Sequence, residues 1–252
     1  MDFIDLGSII IAFFITVVLI GTHAICPILL RYPFFNRPFI SSLAGGSAAT
    51  YVFLHMLPSL VENSEPFGKL LNQYDKLTPL LDVAIFIVAL IGFIIYYGLS
   101  YWAKQEASLV GEENKKMYFL HLFMFGVYNF LISYTMPLRV QTGLFFSILF
   151  MVAIGVHFIL IDRRFSRHFK QLFDLTGRGI LWGALLLGWL LTALTDPINV
   201  LLVSLMVAFL SGSMLYVVFH EELGQQDESN FWGFLSGIVL FSSLLLGQAL
   251  IP

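Results

Sequence analysis

The groups that could do chemistry in this sequence are a few histidines and acids set in a strongly apolar chain. His121 and His157 stand within apolar stretches, and His220 is followed directly by Glu221 and Glu222. Imidazole nitrogen and carboxylate oxygen suit zinc and related divalent cations as ligands. A His-Glu-Glu triplet can gather cations, although it is more often a solvated helix end. What these residues can do therefore depends on the elements that position them.

The composition indicates a membrane protein. Of the 252 residues, 58% are hydrophobic and 12% are charged, about half the roughly 25% of a soluble domain. A soluble domain of this size cannot hide so much apolar surface from water, so a cytosolic enzyme is excluded. The formal net charge of −3 gives no reason to expect a nucleic-acid partner. The single Cys26 cannot form an internal disulfide.

Windowed hydropathy predicts an all-α, polytopic membrane protein of about eight transmembrane helices, because a span needs about 20 apolar residues. These spans form a single transmembrane domain, and they are predicted at residues 4–26, 39–60, 79–103, 117–136, 143–163, 179–195, 198–220 and 231–250. We expect Pro27 to lie in the first loop and Pro137 to end the fourth helix, since proline breaks helices. Asp196-Pro197 divides a long apolar run into the sixth and seventh spans.

Lysine and arginine predict the orientation, because they concentrate in and beside cytoplasmic loops. Ten of the 13 fall on one side of the predicted spans, and only Lys69, Lys76 and Arg139 fall on the other. The sequence therefore predicts an integral, multi-pass protein of the cell membrane (plasma or inner membrane), with both the N-terminus and the C-terminus outside.

Other membrane chemistries lack the residues they need. No lysine lies within a predicted span, so a retinal Schiff base has no attachment point. The sequence contains neither the His-Glu-x-x-His pair of a metalloprotease nor a Gly-rich Walker loop. We therefore expect neither an enzyme nor a prosthetic group.

The second and seventh spans share a short pattern. Residues 51–55 and 216–220 both read Y-V-x-x-H, and Gly-Ser precedes the tyrosine by four and three residues at Gly46-Ser47 and Gly212-Ser213. The two spans are predicted to run in opposite directions, as an inverted-topology repeat requires. That repeat gives a layout of three, two and three spans. A chance coincidence in apolar helices is the alternative.

Three of these stretches resemble the ZIP (zinc/iron permease) family. Ala44-Gly45-Gly46, followed by Phe53-Leu54-His55-Met56-Leu57-Pro58, resembles the second span of that family, which often reads A-G-G-x…F-L-H-L-L-P-E. Residues 212–223 resemble its small-residue stretch with an acidic end, and Gly233-Phe234-Leu235-Ser236-Gly237 is similar to its G-F-L-x-G opening. Eight spans with both termini outside also match the family.

The resemblance implies a divalent metal transporter with its metal site between the fourth and fifth spans. The family carries H-N-x-x-D in the fourth span and H-E-x-x-H-E in the fifth. This sequence keeps Asn129 and His157 from these motifs, and Asp162 stands in place of the final Glu. The resemblance therefore implies Asn129, His157 and Asp162 as the metal ligands, with Tyr128 at the place of the first His.

The sequence departs from the motifs at the other ligand positions. Ile132, Phe158 and Ile161 replace an Asp, a Glu and a His. His157 and Asp162 diverge by about 140° around a helix, so they cannot chelate one ion as a tight pair unless the helix is distorted. Asp162 is followed by two arginines, and a carboxylate in that setting is more often ion-paired than metal-bound.

These observations leave three functions open. The first is a ZIP-like permease for zinc, iron or manganese that works by alternating access without ATP, with Tyr128, His121, His55, His220 and Glu221 along the path. The second is a transport-inactive membrane scaffold or sensor, which gains support if Phe158 and Ile161 fill the interface between the central helices. The third is a transporter of a less charged substrate. The expected partners are the lipid bilayer, a divalent metal ion as substrate and, as an alternative to a monomer, a second copy in a homodimer.

Overall fold

The chain is all-helical. The computed structural model describes residues 4–62, 78–110, 115–168, 173–195, 200–223 and 229–249, and these ranges contain eight helices and no strand. The helices are α1 (Leu6–Leu29), α2 (Pro38–Tyr51, a π-helical turn Val52–Met56, then Leu57–Glu62), α3 (Thr78–Val110), α4 (Lys115–Thr142), α5 (Leu144–His168), α6 (a π-helical turn Phe173–Gly177, then Arg178–Leu194), α7 (Val200–Val217, then a π-helical turn Val218–Leu223) and α8 (Phe231–Ala249). A short 3₁₀ helix, Pro33–Asn36, joins α1 to α2.

Each predicted span coincides with one of these helices, but two prolines were misjudged. Pro27 lies inside α1, which continues to Leu29, and Pro137 lies inside α4, which continues to Thr142. An apolar helix tolerates proline when neighbours satisfy the freed backbone groups. The carbonyl that Pro137 leaves without its helical donor is that of Ser133; at the next residue, the Thr192 hydroxyl of α6 donates a hydrogen bond to the carbonyl oxygen of Tyr134, at 2.7 Å. The Asp196-Pro197 break lies outside the described residues.

Within the residues that the structure describes, four helices are long and apolar enough to cross a membrane, which is consistent with a membrane protein. They contain the stretches Leu6–Leu29, Val83–Trp102, Tyr118–Gln141 and Leu144–Arg163. Shorter apolar stretches occupy α6, α7 and α8. Large apolar side chains such as Phe14 and Phe123 lie more than 60% exposed on the outside of the bundle, where lipid would cover them.

Three pairs of helices pack closely along each other: α2 with α8, α3 with α7, and α4 with α6. Glycine makes each crossing possible. A Cβ atom on Gly46 would overlap the Phe234 carbonyl oxygen of α8, and one on Gly92 would overlap a carbonyl of α7. Gly188 of α6 meets the Phe130 carbonyl of α4 in the same way. Small residues thus let backbones touch, as is typical of helix packing in membranes.

The central helices are α4 and α5. They are the most buried of the four long apolar stretches, and α1 packs against both. A buried hydrogen bond of 2.8 Å joins Thr16 of α1 to Ser133 of α4. The candidate ligands therefore lie in the most enclosed part of the bundle.

Candidate functional site

The three predicted ligand residues lie on the central helices. Asn129 belongs to α4, and His157 and Asp162 belong to α5; each is at most 1% exposed. Polar groups buried this deeply in an apolar bundle are costly, so they mark either structural hydrogen bonds or a pathway.

The α4 side of the site carries polar atoms that the bundle does not satisfy. The Tyr128 hydroxyl and the Asn129 Oδ1 atom are buried and have no hydrogen-bond partner among the described residues. The Tyr128 ring lies edge-on to the His157 imidazole, with centroids 6.2 Å apart. The structure therefore brings Tyr128 and His157 together, with Asn129 next to them on α4. Tyr128 and Asn129 contribute neutral polar groups, and His157 contributes an imidazole.

Asp162 turns toward other helices. Its Oδ1 atom lies 2.8 Å from Nδ1 of His23 on α1, and its Oδ2 atom lies 3.7 Å from Nε of Arg178 on α6. Ion pairing was expected from the chain neighbours Arg163 and Arg164, but the partners that the structure identifies come from α1 and α6. A carboxylate that faces two bases is poorly placed to hold a cation at the same time.

Arg178 belongs to a wider network. Its Nη1 atom lies 2.8 Å from Oδ1 of Asp174, in the π-helical turn that begins α6. Its Nη2 atom donates to the Ser166 hydroxyl at 3.0 Å, and its guanidinium lies 5.0 Å from the centre of the Phe173 ring. These contacts place Arg178 at the junction of α5 and α6.

The motif positions that carry apolar residues are buried in the bundle. Phe158 is 1% exposed; it stacks on His23, with ring centroids 4.6 Å apart, and contacts Tyr128 at 6.5 Å between centroids. Ile132 and Ile161 are also buried. Phe158 thus occupies the space between α1, α4 and α5. Within the described ranges, no group of three or more His, Cys, Asp or Glu side chains is arranged to hold a metal ion.

The remaining predicted path residues are spread over both ends of the bundle. His121 is half-buried on the first turns of α4. His55 lies in the π-helical turn of α2, where its ring stacks on Phe146 at 4.6 Å and contacts Tyr51 at 5.0 Å. The side chain of Glu221 lies outside the described residues.

His220 repeats the arrangement of His55. It lies in the π-helical turn of α7 and stacks on Tyr216, four residues earlier, with ring centroids 5.1 Å apart. Both Y-V-x-x-H patterns therefore fall at a π-helical turn with the histidine packed on its tyrosine. Single π turns inside helices often occur at functional sites.

Arg139 marks the opposite end of α4 from His121. Its Nη1 atom donates to the Tyr51 hydroxyl at 3.4 Å, and its guanidinium lies 4.5 Å from the centre of the Phe150 ring. The sequence assigned Arg139 only to a side of the membrane, so these contacts with α2 and α5 are new. A charged side chain two residues after a proline in an apolar stretch was the available signal.

His23 is the main residue that the sequence analysis did not place in the site. It is buried on α1 and is 139 residues from Asp162 along the chain. The available signal was an ionisable side chain inside a long apolar helix, which is rare without a function or a partner.

Comparison with known proteins gives no further assignment. No protein-family model, no curated protein and no solved structure matches the chain.

Proposed function

We propose that this chain is a ZIP-like multi-pass membrane protein that passes a divalent metal cation through the bundle by alternating access. The observation that carries the proposal is the pair of buried, unpartnered polar atoms on α4, the Tyr128 hydroxyl and Asn129 Oδ1, next to His157 of α5. Unsatisfied polar atoms inside an apolar bundle cost free energy, and a passing ligand that they bind offsets this cost.

Internal similarity supports the three-two-three layout. The pair α2 and α8 meets at Gly46, and the pair α7 and α3 meets at Gly212, so the Gly-Ser of each repeat stands at a backbone crossing. Ser47 and Ser213 both donate to the carbonyl oxygen four residues earlier. Two equivalent crossings and two π turns are what an inverted repeat of α1–α3 in α6–α8 requires. In this layout, both termini lie outside.

The cation path runs between α4 and α5. Imidazole nitrogen of His157 and amide oxygen of Asn129 are its central ligands, and hydrated ions approach along the helix ends that carry His55 and His220. Asp162 receives the ion only after His23 and Arg178 have moved away, because His23 contacts one oxygen of its carboxylate and the Arg178 guanidinium lies beside the other. Helix rocking supplies the motion, and no step uses ATP.

A second candidate rests on Phe158. Its ring fills the interface between the central helices and stacks on His23, and a dication crossing an apolar membrane centre needs negative ligands. A ZIP-like scaffold or sensor without transport fits this packing. The two candidates differ in one measurable property, ion flux.

The test is uptake of zinc, iron(II) and manganese into proteoliposomes that contain the purified protein. We expect saturable uptake that Asn129→Ala and His157→Ala both reduce by at least about tenfold, which corresponds to loss of one good ligand. Ser211→Ala is the matched control, because Ser211 is equally buried but donates only to its own helix at Val207.

The outcomes separate the candidates. Uptake that both variants lose and Ser211→Ala keeps supports the permease and its path. Uptake that persists in both variants contradicts a path between α4 and α5. No flux of any of the three ions contradicts the permease and favours the scaffold or a less charged substrate.

A further inference from the structure

His23, Asp162 and Arg178 tie three helices together at one end of the bundle. His23 lies near the last turn of α1, Asp162 in the second half of α5, and Arg178 at the start of the α-helical part of α6. The side chains of His23 and Asp162 are at most 1% exposed, and that of Arg178 is 13% exposed. The Asp162 carboxylate therefore contacts a basic side chain from each of two other helices.

The tie extends to a fourth helix. Arg163, the neighbour of Asp162, donates from Nη1 to the Ser41 hydroxyl at the start of α2, at 2.7 Å. Ser42 accepts a hydrogen bond from the backbone N–H of Asn230, which precedes α8. Polar contacts thus close this end of the bundle across α1, α2, α5 and α6.

Because the cluster of His23, Asp162 and Arg178 is buried, we expect it to have two states, closed and open. In the closed arrangement, the charges of Asp162 and Arg178 compensate each other away from water. If α1 or α6 moves away, Asp162 becomes an uncompensated buried charge unless water enters. Separation of the helices and hydration of the interface therefore occur together.

Arg178 has a second acidic partner, which can hold it when it leaves Asp162. Asp174 lies one turn away, is 41% exposed, and contacts Arg178 Nη1 at 2.8 Å. When Arg178 leaves Asp162, the Asp174 carboxylate keeps the guanidinium at the surface. The arginine is thus shared between a buried acid and an exposed acid.

We propose that the cluster of His23, Asp162 and Arg178 is the inner gate of the bundle, closed in this structure and opened when α1 and α6 separate from α5. The inference rests on the proposed alternating access for its purpose. The end concerned is the one that the arginines and lysines assign to the cytoplasm.

The chain carries its own reporter for this gate. Cys26, its single cysteine, follows His23 by three residues on the same face of α1 and is fully buried. Its thiol donates to the Ile159 carbonyl oxygen of α5 at 3.5 Å. A maleimide reacts with a hydrated thiolate, so a thiol packed between α1 and α5 reacts only when that interface opens to water.

The experiment measures the rate at which a membrane-impermeant maleimide labels Cys26 in sealed vesicles. We expect slow labelling of the unmodified protein and labelling faster by about tenfold or more in Asp162→Asn and in Arg178→Gln, because each loses a charge-assisted contact. Arg178→Lys keeps the charge and should label at nearly the unmodified rate. The faster labelling should occur only from the side of the loop 30–37.

Thr16→Val is the matched control. It removes a buried hydrogen bond between α1 and α4 two turns from His23, without touching the cluster. Its Cys26 should label at the unmodified rate, so that loosening of α1 in general is distinguished from opening of the gate.

Several results would overturn the gate. The first is that Cys26 of the unmodified protein labels as fast as Cys26 of the chain unfolded in detergent. The second is that neither Asp162→Asn nor Arg178→Gln accelerates labelling. The third is that Arg178→Lys and Arg178→Gln accelerate it equally. Absence of ion uptake by the unmodified protein, together with the expected labelling pattern in the variants, would contradict the permease but not the gate. Intact uptake with unchanged labelling would contradict the gate alone.

Discussion

Gly212 of α7 packs directly against the carbonyl oxygen of Ala89 on α3, which leaves no room for a Cβ atom. Gly237 of α8 meets the Leu43 carbonyl of α2 in the same way. The contacts between these helices are therefore made by backbone, and side chains interdigitate around them.

We predict that Gly212→Ala destabilises the protein by about 1–3 kcal/mol, because the added methyl group forces the two backbones apart. Gly98→Ala on α3 is the control, since nothing lies within 4 Å of its Cβ position. That change should be neutral or should stabilise the helix by up to about 1 kcal/mol. The measurement is thermal unfolding in detergent, and equal melting temperatures for the two variants would contradict the close crossing.

Phe158 should be one of the most important packing residues of the bundle. We predict that Phe158→Ala lowers the free energy of unfolding by about 3–5 kcal/mol, because it leaves a cavity between His23 and Tyr128. Phe123→Ala, which removes a ring that is 66% exposed on α4, should change it by only about 0.5 kcal/mol. Denaturant titration of both variants checks this, and a similar loss in each would show that Phe158 is not enclosed.

The hydrogen bond between Thr16 and Ser133 should contribute little, although it is buried and 2.8 Å long. We expect a coupling energy of about 0.6 kcal/mol and at most about 1.7 kcal/mol, since the unfolded chain in a membrane finds other partners. A double-mutant cycle with Thr16→Val and Ser133→Ala measures it. A coupling well above that range would indicate that the pair belongs to a larger polar network.

The layout predicts that both chain termini lie on the same, outer side of the membrane. Epitope tags at the two ends should react with antibody in intact cells to the same extent, whereas a tag inserted after residue 113 should react only after permeabilisation. Position 113 is suited to the insertion because it lies between the end of α3 and the start of α4 along the chain. Opposite accessibility of the two termini would rule out an even number of spans.

Much of the helical architecture was predictable from hydropathy, because apolar segment length and helix length are set by the same physics. The predicted span 231–250 corresponds to α8 at Phe231–Ala249, and the span 39–60 to α2. The ends at Pro27 and Pro137 were wrong, because both helices continue past their proline, as helices packed in an apolar bundle can do.

The partners of Asp162 were not predictable from the sequence. Local reasoning considers chain neighbours, and Arg163 and Arg164 follow Asp162 directly. The actual contacts, to His23 and Arg178, depend on how α1 and α6 stack against α5. The burial of Asn129 and His157 was predictable because both lie inside apolar spans, but the lack of a hydrogen-bond partner for the Tyr128 hydroxyl and Asn129 Oδ1 among the described residues became visible only in the packed bundle.

The π turns of α2 and α7 each add one residue to the helix. A π turn holds one residue more than the α-helical turn that it replaces. If the extra residue shifts one turn along the helix, the residues that it passes rotate by about 100°, while the helix keeps its ends and nearly all of its hydrogen bonds. His55 and His220 lie in such turns. A shift of the π turn can therefore move each imidazole from one face of its helix to another while the rest of the helix stays folded.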